Sequence, residues 1–135
     1  MSYLIEGIDV SPFIKACHIF EDYRKNMKTD QEKAGAIQAF GFSYEMAWKT
    51  MKRLLNSKGI QALSPGDCFR EATLLGIISD SKKWFGFMEK RNLTVHTYEA
   101  KVVIEIIAIF EDYSSALCEL IGYIENEKNK SPLSS

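Results

Sequence analysis

Apolar residues recur at intervals of three and four along most of this chain, and the strongest local breakers, Pro12, Gly59, Pro65 and Gly76, fall between those periodic stretches. Such spacing lines side chains along one helix face, so the pattern predicts long amphipathic helices joined by short turns. Ser11-Pro12 reads as an N-cap followed by proline at the first helical position, opening a helix with Phe13, Cys17, Phe20, Tyr23 and Met27 on one face. Thr29-Asp30-Gln31-Glu32 has the capping-box form and starts a second helix, striped with Ile37, Phe40, Gly41, Tyr44, Ala47, Trp48, Met51, Leu54 and Leu55. Gly59 follows its end, and Ser64-Pro65 opens a short third helix to about Leu75. Gly76 to Asp80 separates that helix from a further piece carrying Trp84, Phe85 and Met88 and ending near Asn92. A last helix is expected from about Tyr98 to Glu127. There Val102, Ile106, Phe110, Tyr113, Leu117, Leu120 and Ile124 hold the helical interval far past the length of a strand.

These faces bury one another only by packing together, which predicts an all-α fold, an antiparallel up-and-down four-helix bundle with one helix broken into two pieces. A length of 135 residues suits one such domain, here residues 1–128, with a disordered polar tail at 129–135. Between Val102 and Phe110 the last helix is apolar almost all round. That leaves two readings open, a homodimer interface or burial at the centre of the bundle.

Seventeen basic residues against eighteen acidic ones give a formal net charge of -1, so no whole-surface positive field exists to hold duplex DNA. Cys17, Cys68 and Cys118 are widely spaced, with no paired-cysteine motif and no histidine at a zinc-ligand interval; they read as reduced core residues, and neither a metal centre nor a cofactor is expected. Met1 to Ser11 has no basic leader, and no apolar stretch reaches the roughly 18 residues that span a bilayer. The expected location is cytoplasmic, with no membrane partner.

One cluster carries chemistry. Arg91, Asn92, His96 and Tyr98 place a guanidinium, an amide, an imidazole and a phenol within one short stretch. On an unbroken helix Arg91 and His96 would point about 140° apart, so a break is needed to bring them together. The β-branched Thr94, Val95 and Thr97 supply the occasion for one, and Thr97 is placed to cap the last helix. His96 would then precede a helix N-terminus, which attracts phosphate and disfavours imidazolium, while Arg91 can grip phosphate oxygens. That equipment suffices for metal-free RNA cleavage, with the imidazole as base and the guanidinium stabilising the charged transition state. The plainer reading pairs Arg91 with a carboxylate, caps a helix with Asn92 and leaves His96 and Tyr98 half-buried in a turn. His18, beside the apolar face of the first helix, reads as structural.

Several spaced stretches together resemble one family: Ala36 to Phe40, Tyr44 to Lys52, Ser64-Pro65, Arg70 to Ala72, Gly76 to Ile78, and Arg91-Asn92 through His96-Thr97-Tyr98. The chain is similar to the nucleotidyltransferase substrate-binding protein family, related to HepT toxins within the HEPN superfamily. The resemblance implies a homodimeric helical bundle that associates with an MntA-like minimal nucleotidyltransferase. It implies an R-x4-H-x-Y motif in Arg91, His96 and Tyr98, the first two as ribonuclease residues and Tyr98 as the acceptor of AMP that silences the toxin. Asn92 matches the polar position after the arginine, and the resemblance makes Glu45 a supporting partner of Arg91 or His96. Two functions stay open: a toxin that cleaves RNA, or a non-catalytic subunit that holds a nucleotide or other substrate for its partner.

Overall fold

The computed structural model describes residues 4–5 and 7–130, with side chains for Ile5 and for residues 7–129. A short hairpin, β1 (Leu4–Ile5) paired antiparallel with β2 (Ile8–Asp9), leads into α1 (Ser11–Arg24), α2 (Asp30–Ser57), α3 (Pro65–Leu74), α4 (Ser81–Asn92), α5 (Ala100–Ile107) and α6 (Phe110–Lys130). A 3₁₀ turn at Leu93–His96 joins α4 to α5. The fold is an all-α antiparallel bundle: α2 packs against α1, α3 and α4, and α6 against α1, with α3 and α4 forming the broken helix. The hairpin lies outside the sequence expectation because strands of two residues carry no period to read.

Several helix ends follow their local chemistry. Thr29 Oγ1 accepts from the Glu32 N–H at 3.0 Å while Glu32 Oε1 accepts from the Thr29 N–H at 2.9 Å, a reciprocal pair that also holds the Glu32 carboxyl below its ordinary range. Ser64 Oγ accepts from the Asp67 N–H at 3.1 Å. Gly59 and Gly76, with φ of 80° and 75°, take the left-handed conformation that ends α2 and α3. At α1 the expectation needs correcting: Ser11 is the first helical residue, and the N-cap is Val10, whose side chain makes no capping bond. Asp9 does the work instead, accepting from the Ser11 hydroxyl at 2.6 Å and its N–H at 3.0 Å. Helix α1 also stops at Arg24, which leaves Met27 beyond it and Tyr23 exposed.

Aromatic rings fill the interior. Phe20 meets Phe110 and Tyr113 edge-on at 5.0 and 5.1 Å, Phe40 meets Tyr113 at 4.8 Å, and Trp84 and Phe87 close the same cluster from α4. Each large apolar side chain buried this way contributes about 1.5–3 kcal/mol. The buried Tyr113 hydroxyl is hydrogen-bonded to Ser43 Oγ at 2.7 Å, and Ser43 Oγ also donates to the Phe40 carbonyl at 3.1 Å.

The single last helix expected from Tyr98 is in fact two. Ala108 and Ile109 interrupt it, with the Ile109 N–H reaching only three residues back to the Ile106 carbonyl at 3.2 Å. Across the break Val102 and Ile106 on one segment and Phe110 and Tyr113 on the next keep the helical interval and all face the core. Thr97 caps nothing: α5 begins at Ala100 behind Glu99, which makes no side-chain cap. Helix α6 continues to Lys130, so residues 129–130 are helical and not part of a disordered tail, since no breaker occurs before Pro132; residues 131–135 lie outside the described residues. Cys17 and Cys68 are buried as expected, but Cys118 is exposed, because Leu117 and Leu120 take the inward positions on its turn of α6. His18 is exposed on α1.

Candidate functional site

The break between α4 and α5 shapes the site. Thr94 Oγ1 donates to the Arg91 carbonyl at 2.7 Å, tying the 3₁₀ turn to the last turn of α4, and accepts from Arg91 Nη1 at 3.2 Å. Arg91 Nε is buried without a hydrogen bond, 3.8 Å from Glu45 Oε1, while Glu45 Oε2 accepts from the Trp48 indole N–H at 3.0 Å. The guanidinium therefore rests on α2. Gly41 makes room for it, since a Cβ there would stand 3.4 Å from Nε.

His96 ends the 3₁₀ turn, and its Nδ1 lies 3.2 Å from the Tyr98 hydroxyl, the two rings edge-on with centroids 5.8 Å apart. Both are exposed, and among the described residues no hydrogen bond or ion pair joins either to Arg91. The fold thus pairs Arg91 with Glu45, and His96 with Tyr98. Asn92 is exposed at the end of α4. Nearby, Lys90 Nζ bridges to Glu105 Oε1 at 2.8 Å and fastens α4 to α5.

A hollow of about 860 Å³ lies between α1, α2 and the 3₁₀ turn, lined by Arg91, Glu45, Thr94, Val95 and Thr97 among others. A second, of about 410 Å³, is lined by Tyr98, Asp30, Lys33, Val103 and Ile104. Ala34, Ile37 and Thr97 line both, so the two form one trench along the outer side of α2, with Arg91 in one part and Tyr98 in the other. His96 lines neither part. Alongside runs an apolar strip: Val95 and Ile104 are each 70% exposed and Tyr98 79%, with Val103 and Ile107 half-buried. The trench is the feature sequence reading missed. Its signal there was slight, since Ala34 and Gly41 are two among several small residues of α2.

Among the described residues no group of three or more His, Cys, Asp or Glu side chains is placed to hold a metal ion, and no helix is long and apolar enough to cross a membrane.

Comparison with known proteins places this geometry. The crystal structure of ttk003001694 from Thermus thermophilus superposes with a TM-score of 0.78 at 26% identity, covering 83% of this chain and 98% of that one. HI0074 from Haemophilus influenzae, described as having the fold of a substrate-binding domain of a nucleotidyltransferase, superposes with a TM-score of 0.79 at 28% identity, covering 86% and 98%. A probable ribonuclease HepT from Haemophilus influenzae is 37% identical over 97 residues, which span 68% of this chain and 66% of that protein's length. The model of the family "nucleotidyltransferase substrate binding protein like" matches residues 10–126, and the chain belongs to that family.

Proposed function

We propose that this chain is the HepT-like half of a two-component system, the partner of an MntA-like minimal nucleotidyltransferase, with Arg91 and His96 carrying metal-independent RNA cleavage and Tyr98 receiving AMP. The observation that carries the reading is the His96 Nδ1 to Tyr98 hydroxyl contact of 3.2 Å on an exposed turn directly after Arg91. An imidazole so placed has two uses. In cleavage, His96 takes the 2′-hydroxyl proton, O2′ attacks the adjacent phosphorus, and the P–O5′ bond breaks as O5′ is protonated from solvent, leaving a 2′,3′-cyclic phosphate. Arg91 stabilises the negative charge on the phosphoryl oxygens.

In silencing, the Tyr98 hydroxyl attacks the α-phosphorus of ATP on the partner, pyrophosphate leaves, and the phenolic proton passes to His96. The attached phosphate then repels RNA and covers the imidazole. The exposed strip of Val95, Tyr98 and Ile104 supports a homodimer in which the two copies of this turn share one cleft, bringing His96 within reach of an Arg91 that the single chain keeps apart.

A second reading makes the chain a non-catalytic subunit that binds a nucleotide for its partner. The Glu45 and Thr94 contacts favour it, because they turn Arg91 into the trench and away from His96. Incubating the protein with RNA in EDTA separates the two. Cleavage lost in His96→Ala and Arg91→Ala supports the ribonuclease, and no cleavage by the wild type leaves the binding subunit.

A further inference from the structure

We propose that the part of the trench beside Arg91 is a nucleotide subsite, in which Arg91 takes the phosphate while Phe42 and Gln38 hold the base. This rests on the reading that the chain handles nucleotides or RNA, and adds where and how they bind. Ala34 and Gly41 line the trench on α2, and Gly41 lets the Arg91 side chain come close to the helix backbone. Thr94 then fixes the direction of the guanidinium by accepting from Nη1, and with Nε buried the other terminal N–H groups are the ones to meet a phosphate. Thr94 and Gly41 are positioning residues: they act on a ligand only through Arg91.

The rest of the wall has the chemistry of a base. Phe42 follows Gly41, lines the same hollow and is 37% exposed, an aromatic face of the kind on which bases stack. Gln38, one helical turn before Phe42, is exposed into the hollow and offers both a donor and an acceptor to a base edge. Lys15 on the α1 rim adds a second positive charge against the single carboxylate of Glu45. A hollow of about 860 Å³ is also within the range of small-ligand sites. An apolar peptide would use the floor but leave the guanidinium unanswered.

Titration calorimetry with AMP, adenosine and pyrophosphate tests the assignment on the full chain. AMP is expected to bind more tightly than adenosine, which lacks the phosphate, and pyrophosphate serves as the probe of the anion contact alone. Phe42→Ala should weaken AMP about tenfold with little effect on pyrophosphate, whereas Arg91→Ala should weaken both. Thr94→Val should weaken AMP about fivefold and Thr94→Ser restore it, a rescue that a merely structural threonine would not show. The subsite is overturned if wild type fails to bind AMP, if Phe42→Ala and Arg91→Ala bind it as wild type does, or if Phe42→Ala instead dissociates a dimer, which would make a second copy the occupant. Failure of the ribonuclease or acceptor reading shows separately, as absent RNA cleavage or absent Tyr98 modification with AMP binding intact.

Discussion

The Tyr98 hydroxyl lies 3.2 Å from His96 Nδ1, with both side chains exposed on the connection between α4 and α5. Neither residue supports the core, so both can be altered with little effect on the fold. Tyr98→Phe should melt within about 2 °C of wild type by circular dichroism, since isolated surface changes stay within about 0.5 kcal/mol. After incubation with the partner nucleotidyltransferase and ATP, mass spectrometry should find one added AMP on the wild type and none on this variant. An adduct of equal yield on Tyr98→Phe would remove the acceptor role.

Catalysis by His96 and Arg91 predicts a loss of about a hundredfold or more in RNA cleavage for His96→Ala in EDTA, the range for removing a general base. Arg91→Lys should recover only a small part of what Arg91→Ala loses, because an ammonium cannot reproduce the forked donors.

Glu45 stands 3.8 Å from Arg91 without a hydrogen bond, and both side chains are about one-third exposed, at 37% and 34%. Such a pair is worth at most about 1 kcal/mol. Glu45→Gln is therefore expected to cost little stability and to tighten phosphate or nucleotide binding a few-fold, by removing the anion that competes for Arg91. Weaker binding would instead make Glu45 a support that Arg91 needs.

Ser43 and Tyr113 share a buried hydrogen bond of 2.7 Å, but Ser43 has a second partner in the Phe40 carbonyl. Removing the serine orphans a buried phenol, whereas removing the phenol leaves the serine bonded. Urea denaturation should show Ser43→Ala destabilised by about 1–3 kcal/mol and Tyr113→Phe by about 1 kcal/mol, with the double variant near Tyr113→Phe. The reverse order would show that the bond in solution is not the one described.

Burial pushes the Cys17 thiol up to about 12, with Cys118 and then Glu21 adding to it, and burial likewise raises Tyr44 and Tyr113. These groups charge more readily in the unfolded chain, so their contribution to stability is intact below the ordinary thiol value of 9.0 and falls as pH rises from there toward about 12. Thermal melts should be flat from neutral pH to about 8 and drop above about 9. An aromatic disulfide reagent at pH 8 should titrate one thiol quickly, Cys118, and the buried Cys17 and Cys68 only on unfolding. Rapid reaction of all three would contradict that burial.

What the amino-acid order determined by itself is what depends on near neighbours. The Thr29 capping box, the Ser64 cap, the turns at Gly59 and Gly76 and the stripe on α2 are set by contacts within a turn or so of helix, so spacing alone reveals them. The break after Asn92 belongs with these. Tertiary packing decided the rest. Ala108 and Ile109 interrupt a stretch in which Val102, Ile106, Phe110 and Tyr113 keep the interval of one continuous helix and all face the core, so the local pattern carries no mark of the break. Arg91 settles on Gly41, fifty positions earlier in the chain, and that choice, invisible in the R-x4-H spacing, turns the guanidinium into a trench and leaves His96 to Tyr98. Local propensity reaches only as far as a helix turn, whereas the direction of a long charged side chain is set by whichever distant helix leaves a space for it.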